Sequence, residues 1–319
     1  MAYFLIAVSN RYNLDLCLRY GLAGFTSSAS GLWTFLDINE GDFVSFLYGA
    51  RVFNLYQVDQ KAAYRGADQL PPWPPVTFQP SGRTYVFPFR AQLRPIRVFN
   101  EPLVRSEFAY VGENLLLRGG YRKTHFQADQ TTLQAASEMG ELWAGQLDEL
   151  NLGKVEIFTP LLTKDKSRVA PPESFLFREL FLQAMVRSRL SSGADMSSIL
   201  ARTGLAGYGP SQLEVLSEKA FPEGHVDLLV KESTPKGVSN KVVIEIKGGV
   251  AAKADVEQLV KYRSTLGAEC VGAILIARAA SSKVRNLAED QGVIIFDYRL
   301  DFPSAPASFN DLSAVLKIV

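Results

Sequence analysis

Two carboxylates and one ammonium group are predicted to converge in the second half of the chain. Asp227 stands in the run G-H-V-D-L-L-V, and Glu245 and Lys247 stand in K-V-V-I-E-I-K-G-G. Glu245 and Lys247 are two residues apart, so on a strand they project from the same face. Like charges close together resist joint ionisation, and a divalent cation removes that conflict. Carboxylate oxygens suit Mg²⁺, for which Mn²⁺ can substitute.

Two strands of a hairpin are the elements that would bring these residues together. Val226–Val230 and Lys241–Ile246 are short apolar runs typical of strands. The polar segment between them carries a proline and a glycine, which favours a turn. A register centred on Lys236 would place Asp227 opposite Glu245.

The chemistry predicted for this site is hydrolysis of a phosphodiester bond. A magnesium ion can clamp phosphate oxygens and lower the pKa of a bound water. Lys247 could hold or deprotonate that water and offset charge on the phosphoryl group. Gln258 and Tyr262 share a face of a predicted helix, and Glu179 lies upstream in F-L-F-R-E-L-F-L-Q-A-M. The solvated face of an edge strand would explain Glu-x-Lys alone, but the combination favours a site.

These motifs resemble the PD-(D/E)XK nuclease superfamily, in its RecB-like and archaeal single-strand or mismatch nuclease style, over about residues 170–300. The resemblance implies four metal ligands, one of them through its backbone carbonyl: Asp227, Glu245, Glu179 and Ile246. It implies that Lys247 is the catalytic lysine. Gln258 would belong to the catalytic set, and Tyr262 would orient the site or touch DNA. Gly224 and His225 stand where some members have a proline before the first aspartate.

Composition indicates a globular protein without a strongly charged surface. The 319 residues suffice for two domains. A net charge of +1 means that nucleic-acid binding must come from local basic patches. Cys17 and Cys270 are expected to be reduced core residues of a cytoplasmic protein, and two cysteines with two histidines give no zinc cluster of standard spacing. The apolar start lacks the features of a signal peptide, and no apolar run reaches the length of a membrane span.

The first 130 residues are predicted to be rich in β-strands, as in a small barrel. Predicted strands are Tyr3–Val8, Phe43–Tyr48, Val52–Val58, Thr84–Phe89 and Ala91–Phe99. A helix is expected over Asn13–Gly21 with Asn13 as its cap, and Gly24–Gly31 is expected to be a loop.

This region resembles the PUA-like superfamily, in particular its EVE and YTH branches. The matching stretches are Y-F-L-I-A-V-S-N, L-R-Y-G-L-A-G-F-T, E-G-D-F-V-S-F-L-Y-G and R-P-I-R-V-F-N-E-P. The resemblance implies a domain that extrudes a modified base into an aromatic pocket. The implied pocket residues are Ser9, Asn10, Phe25, Trp33 and Trp73. Core packing is the alternative for Trp33, and a clasp within the proline loop is the alternative for Trp73.

Basic residues in the same domain are candidates for DNA contact. They are Arg90, Arg94, Arg118, Arg122 and Lys123. The later ones are interleaved with aromatic residues and a Gly-Gly pair, which suits phosphate contact beside stacking. A solvated charged loop would explain the same residues.

The second half is predicted to be an α/β sheet sandwiched by helices. Helices are expected over Thr132–Leu150, Phe175–Leu190, Ala254–Leu266 and Ser282–Gln291, and further strands over Val271–Ala277 and Val293–Asp297. Leu213–Lys219 fits a helix or a strand. The predicted fold is therefore an N-terminal PUA-like β-barrel domain (1–150), a linker (151–172) and a C-terminal restriction-endonuclease-like α/β/α domain (173–319).

Together the two resemblances imply a modification-dependent DNA endonuclease. It would flip a methylated or hydroxymethylated base of double-stranded DNA into the first domain and cut with Mg²⁺ in the second. One site cuts one strand, so double-strand cleavage suggests a homodimer. Two alternatives are a structure-specific repair nuclease for mismatched or single-stranded DNA and a non-catalytic DNA- or RNA-binding module with a decayed nuclease core. RNA is a further possible target, because PUA-like readers also serve RNA.

Overall fold

The chain folds into two compact units of mixed α and β structure. The computed structural model describes residues 1–49, 51–79, 82–100, 124–221 and 224–319. The first unit holds Met1–Ala128 and Thr132–Leu176, and the second holds Asp129–Thr131 and Phe177–Val319. Residues 151–172, which we predicted to be a linker, belong to the first unit and contain short strands. No helix in the described ranges is long and apolar enough to cross a membrane.

Strands dominate the first unit. They are β1 (Tyr3–Ala7), β2 (Leu22–Phe25), β3 (Phe43–Tyr48), β4 (Arg51–Tyr64), β5 (Val76–Phe78), β6 (Arg83–Tyr85), β7 (Phe89–Val98), β8 (His125–Ala128), β9 (Glu141–Leu142), β10 (Ile157–Phe158), β11 (Leu161–Thr163) and β12 (Ser174–Leu176). The helices are α1 (Arg11–Tyr20), α2 (Ala29–Asp37) and α3 (Gln130–Ser137), with a 3₁₀ turn at Lys166–Arg168. Helix α3 begins in the short segment assigned to the second unit.

The main sheet of the first unit has the order β2-β7-β4-β3-β1-β8, with β9 added to β7 and β10 added to β4. Strands β1 and β3 are parallel, whereas β4 is antiparallel to both β3 and β7. Consecutive residues of β1 and β4 are buried, and one apolar core includes Leu5, Val52 and Leu55. Among the described residues this sheet has edges at β2 and β8, so closure into a PUA-like barrel stays a prediction.

Two local predictions in the first unit are wrong. Helix α2 occupies part of the predicted loop because the Ser28 side chain caps it by accepting from the N–H of Gly31. The predicted helix over Thr132–Leu150 ends at Ser137. The chain then turns at Gly140, where a Cβ would lie 2.2 Å from the Val98 carbonyl oxygen, and β9 pairs with β7 instead.

Helix α1 is close to its prediction, with a shifted start. Asn10 rather than Asn13 is the cap, and its side chain accepts from the Asn13 N–H at 2.8 Å. The helix ends at Gly21 in the left-handed conformation (φ +54°), which glycine adopts without a steric penalty.

The second unit is a six-stranded sheet with helices, as far as its residues are described. Its strands are β13 (Leu213–Phe221), β14 (Gly224–Glu232), β15 (Lys241–Val250), β16 (Cys270–Ala279), β17 (Ile294–Arg299) and β19 (Lys317–Ile318), in that spatial order; β18 (Ala307–Ser308) lies outside this sheet. Its helices are α4 (Glu179–Ser191), α5 (Met196–Leu200), α6 (Lys253–Leu266), α7 (Ser282–Asp290) and α8 (Phe309–Val315), with 3₁₀ turns at Pro210–Gln212 and Gly267–Glu269.

The hairpin and crossover pattern predicted for the second unit is present. Strands β13, β14 and β15 are antiparallel neighbours, while β15, β16 and β17 run parallel and are joined by α6 and α7. The 213–219 segment is a strand. Helices α6 and α7 pack on the sheet through apolar residues such as Val256, Leu259 and Ala288, against Val243 and Leu275. This layer fixes the positions of β14 and β15, which carry the predicted site.

Candidate active site

The hairpin register brings Asp227 beside the middle of β15. Leu228 pairs with Ile244, and Lys231 pairs with Lys241, so the register is centred on Lys236 as predicted. The ladder is recorded from Leu228 onward. Just beyond it, Asp227 uses its side chain, and its Oδ2 atom accepts from the Ile246 N–H at 2.8 Å. The carboxylate of β14 is thereby tied to the backbone of β15.

Glu245 and Lys247 form a partly buried ion pair on β15. The Lys247 Nζ atom lies 2.7 Å from Glu245 Oε1. Glu245 is 2% exposed, and its Oε2 atom is buried with no hydrogen-bond partner among the described residues. A buried carboxylate oxygen without a donor is costly, so this atom is available for a ligand such as a cation.

Glu179 is held at the same place by the backbone after Lys247. It is the first residue of α4, and its Oε2 atom accepts from the Gly248 N–H at 2.6 Å. The Tyr298 hydroxyl donates to the Gly248 carbonyl at 2.7 Å. Tyr298 and Gly248 therefore fix the strand end that positions Glu179. No sequence pattern indicates Tyr298, because its strand is remote along the chain.

Three polar residues that were not predicted from the sequence complete the cluster: Gln183, Glu218 and Asp255. Gln183 lies one helical turn after Glu179 on α4, and its Nε2 atom lies 3.1 Å from oxygens of both Asp227 and Glu218. Asp255, in the first turn of α6, places Oδ1 3.9 Å from Lys247 Nζ. The i, i+4 spacing of Glu179 and Gln183 is the one signal that could have indicated Gln183.

Gln258 and Tyr262 lie on one face of α6, as predicted. Gln258 Nε2 donates to the Tyr262 hydroxyl at 2.6 Å, and that hydroxyl donates to the His225 carbonyl at 2.9 Å. The pair therefore links α6 to β14 two residues before Asp227. Tyr262 is 1% exposed. Its ring could therefore contact DNA only after a structural change that exposes it.

Burial and like charge raise the pKa values of the two hairpin carboxyl groups. Burial, followed by the charge of Glu245, raises the pKa of Asp227 to about 8. Burial also raises the pKa of Glu245, although Lys247 opposes this. Burial lowers the pKa of Lys247, but the hydrogen bond and charge of Glu245 outweigh burial and raise it above its ordinary value. Lys247 is therefore an ammonium group at neutral pH. Its single positive charge cannot balance the carboxyl groups of Asp227 and Glu245 when both are ionised.

The residues present fit a hard divalent cation by the chemistry of their donors. Asp227, Glu245 and Glu179 supply carboxylate oxygens, and Glu245 Oε2 is buried without a donor. Within the described residues, no three His, Cys, Asp or Glu side chains are grouped closely enough to hold a metal ion as they stand. Several of the oxygens instead accept from Lys247, Gln183 and backbone N–H groups.

The structure leaves two of the predicted base-pocket residues exposed and buries the other three. Ser9 and Asn10 are exposed at the start of α1, where Asn10 serves as the cap. The three aromatic residues are 3–4% exposed: Phe25, Trp33 and Trp73. Trp33 packs edge-on against His125, with centroids 4.6 Å apart. A base could reach these rings only if their neighbours moved, and the pocket stays a prediction.

Trp73 is enclosed by the first unit. A Cβ on Gly24 would lie 2.4 Å from its ring, and the guanidinium of Arg90 lies 5.5 Å from the ring centroid. Arg90 is itself buried and donates to the carbonyls of Phe87, Pro71 and Leu70, and burial lowers its pKa to about 10. A DNA contact from Arg90 would require it to leave those carbonyls.

Of the other predicted DNA contacts, Arg94 is exposed and donates to the Gln57 side chain. Arg118, Arg122 and Lys123 lie outside the described residues. Arg94 also lines a groove of about 660 Å³ in the first unit, a size typical of ligand sites. Other lining residues are Tyr20, Tyr64, Gln60 and Gln92. The described lining of this groove does not include the five predicted base-pocket residues.

Comparisons with known proteins give structural likenesses at low similarity. No family model matches the chain, and no curated protein matches it significantly. A complex of EndoMS with double-stranded DNA is 27% identical with a TM-score of 0.23, covering 33% of this chain and 43% of that one. A repair endonuclease from Pyrococcus abyssi is 22% identical with a TM-score of 0.24, covering 35% and 47%.

The MspJI restriction endonuclease in complex with an oligonucleotide is 10% identical with a TM-score of 0.20, covering 91% of this chain and 64% of that one. These solved structures are all endonucleases. The present chain spans less than half the length of the first two. At such TM-scores the likeness carries no weight for the function, which has to be inferred from the residues of the site.

Proposed function

We propose that this protein is a metal-dependent DNA endonuclease whose active site is the cluster at the β14–β15 hairpin. The observation that carries the proposal is the convergence of Asp227, Glu245 and Lys247 in the predicted register, with Glu179 beside them. Two neighbouring carboxylates with one ammonium, Glu245 buried and Asp227 partly buried, are costly for a fold unless they serve a ligand.

Each residue has a task in phosphodiester hydrolysis that follows from its contacts. Asp227, Glu245 and Glu179 would hold Mg²⁺ or Mn²⁺, with the Ile246 carbonyl as a further ligand. When bound, the cation would neutralise phosphate charge and lower the pKa of a water. Lys247 would donate a hydrogen bond to the attacking water or to a phosphoryl oxygen, because its raised pKa keeps it protonated at neutral pH.

Gln258 and Tyr262 act at a distance from the reacting atoms in this proposal. Their hydrogen bonds end on the His225 carbonyl, so they hold the start of β14 in place. Asp255 would hold the ammonium of Lys247 between itself and Glu245.

We further propose that the first unit selects the DNA by reading a methylated or hydroxymethylated base. The support is the resemblance of its sequence to PUA-like readers and the presence of a ligand-sized groove lined by tyrosines, amides and Arg94. A base flipped out of the duplex is read by stacking and by hydrogen bonds to its edge. Cleavage of both strands would then require two copies of the chain.

A cleavage assay on one plasmid tests both parts of the proposal. The plasmid is prepared unmodified and with 5-methylcytosine, 5-hydroxymethylcytosine or N6-methyladenine, and incubated with the protein and Mg²⁺. The proposal predicts cutting of a modified form only. Equal cutting of all forms, or cutting confined to single-stranded or mismatched DNA, would contradict base reading and favour a structure-specific nuclease. No cutting with either Mg²⁺ or Mn²⁺ would contradict the nuclease and favour a binding module.

A further inference from the structure

The amide of Gln183 faces three oxygen atoms at once. Its Nε2 atom lies 3.1 Å from Asp227 Oδ1, from the Asp227 carbonyl and from Glu218 Oε1. The Gln183 side chain is 5% exposed, so water does not compete freely for these contacts. Because it lies on α4 directly after the turn of Glu179, it approaches the hairpin from the helix layer.

The chemistry of these neighbours determines which end of the amide faces them. The Asp227 carbonyl can only accept, and both carboxyl groups can only accept in the ionised state that binds a cation, so an amide oxygen turned toward them would meet no donor. The NH₂ end must therefore point at Asp227 and Glu218. Glu218 Oε1 is one of these acceptors. Its removal would take away a hydrogen bond that holds the amide in this orientation.

Glu218 reaches this position from an unusual backbone conformation. It has φ +55° within β13, between Ser217 and Lys219, which pair regularly with β14 on either side. A left-handed glutamate in a strand is strained, and such strain persists where the surrounding structure requires it. Its side chain is 9% exposed and contacts Gln183.

We infer that Gln183 is a positioning residue that presets the Asp227 carboxylate for a divalent cation, and that Glu218 acts through Gln183 by fixing the amide orientation. Asp227 is then held at both oxygens, by the Ile246 N–H at Oδ2 and by Gln183 at Oδ1. A carboxylate held in one orientation loses less freedom when it binds a ligand. The inference rests on the proposed metal-dependent function and adds to it two residues and their order of action.

Mn²⁺ binding, measured by titration calorimetry on the full chain, tests this inference without relying on cleavage. The variants are Gln183→Met, Glu218→Ala, Glu218→Gln and the double variant Gln183→Met/Glu218→Ala. Gln291→Met, at an exposed glutamine in the same unit, is the matched control. Thermal unfolding in EDTA checks each fold, and Gln183→Asn, whose amide is too short to reach, replaces Gln183→Met if that variant does not fold.

Gln183→Met should weaken Mn²⁺ binding about tenfold, as expected for loss of one hydrogen bond to a charged group. Glu218→Ala should weaken Mn²⁺ binding about threefold. The double variant should match Gln183→Met, because Glu218 influences Asp227 through the amide. Glu218→Gln should bind like the unaltered protein, since its amide oxygen still accepts from Gln183. Gln291→Met should leave binding unchanged. In cleavage assays the same variants should lower kcat in this order and leave KM for DNA within about twofold.

Three results would overturn the inference. One is Mn²⁺ binding by Gln183→Met equal to that of the unaltered protein. Another is a loss of Mn²⁺ affinity in Glu218→Gln as large as in Glu218→Ala, which would mean that the negative charge of Glu218 itself contributes to binding. The third is a double variant whose Mn²⁺ affinity falls by the product of the two single fold-changes, because independent effects multiply. If the unaltered protein binds Mn²⁺ but cuts no DNA, the nuclease proposal fails while the binding constants still decide the positioning role. If it binds no Mn²⁺, both fail.

Discussion

Lys247 Nζ and Glu245 Oε1 lie 2.7 Å apart on β15, with Asp227 on the neighbouring strand. The Lys247 ammonium is thus bound to one of the carboxylates of this cluster. The second oxygen of Glu245 stays buried without a donor among the described residues. A divalent cation would relieve this excess of negative charge.

Divalent cations should stabilise the protein, and the stabilisation should depend on Asp227. At a Mg²⁺ or Mn²⁺ concentration about 100 times the dissociation constant, the folded state gains about 2.7 kcal/mol. This corresponds to a rise of roughly 5–10 °C in the Tm of a unit of this size. Asp227→Ala should abolish the rise, whereas Asp290→Ala, at the exposed last residue of α7, should keep it. Equal shifts in all three proteins would place the cation elsewhere. Differential scanning fluorimetry measures the shifts.

Tyr262→Phe should lower cleavage and leave DNA affinity unchanged. The substitution removes the hydroxyl that bridges Gln258 and the His225 carbonyl, at a cost of about 1–2 kcal/mol in the free energy of unfolding. Because the ring is 1% exposed, no DNA contact is lost. Tyr12→Phe, at a ring that is 62% exposed, is the control. A several-fold loss of DNA affinity in a gel-shift or anisotropy titration would show instead that Tyr262 touches DNA.

Gly24→Ala should unfold or loosen the first unit by displacing Trp73. The added Cβ would lie 2.4 Å from the Trp73 ring, which has no space to withdraw because it packs on Phe87 and Arg90. Trp73→Ala should itself cost about 3–5 kcal/mol in the free energy of unfolding. Tryptophan fluorescence during urea unfolding measures both effects. A stable Trp73→Ala protein that has only lost preference for a modified base would contradict this structural role and support Trp73 as a pocket wall.

The buried Glu214 should make the second unit less stable as the pH rises toward 8. Glu214 accepts from the Gln130 N–H and lies 3.2 Å from Lys231 Nζ. Burial is the main cause that raises its pKa to about 7. A carboxyl group with a raised folded-state pKa contributes stability below its unfolded pKa, and this contribution disappears as the pH rises through about 7. The free energy of unfolding should therefore fall by up to about 3 kcal/mol between pH 4.5 and 8.

Glu214→Gln should remove this pH dependence because a neutral amide oxygen can still accept from Gln130. The Tm of the variant should exceed that of the unaltered protein at pH 8, and the difference should vanish or reverse near pH 5. Glu289→Gln, at an exposed position on α7, should show no such crossover. A constant difference at both pH values would mean that Glu214 does not titrate in this range.

The sequence was sufficient to predict the hairpin register and the convergence of Asp227, Glu245 and Lys247 beside it. Asp227 and Glu245 could be paired because the apolar runs and the turn between them determine the register. Gln183 and Glu218 could not be found this way. Their meeting depends on the packing of α4 against β13 and on a left-handed glutamate, which no local preference indicates.

Local signals were weaker in the first unit. Apolar spacing predicted one long helix after Thr132, but the positive φ of Gly140 and the pairing of β9 with β7 end it early. Helix α2 was missed because its start is rich in Ser and Gly, yet Gly31 is needed where a Cβ would lie 2.0 Å from the Thr26 carbonyl oxygen. Trp33 and Trp73 have pocket-like residue types, and only the fold shows that both are buried.

Cleavage of plasmid DNA in Mg²⁺ by the unaltered protein and by Lys247→Ala decides whether the β14–β15 hairpin is an active site. Lys247→Ala should stop cleavage and retain DNA binding and Tm, because Lys247 is partly exposed and acts on the reacting groups. Lys253→Ala, at a surface ion pair with Glu257, should cut like the unaltered protein. Normal cleavage by Lys247→Ala would contradict the assignment of this hairpin as the active site.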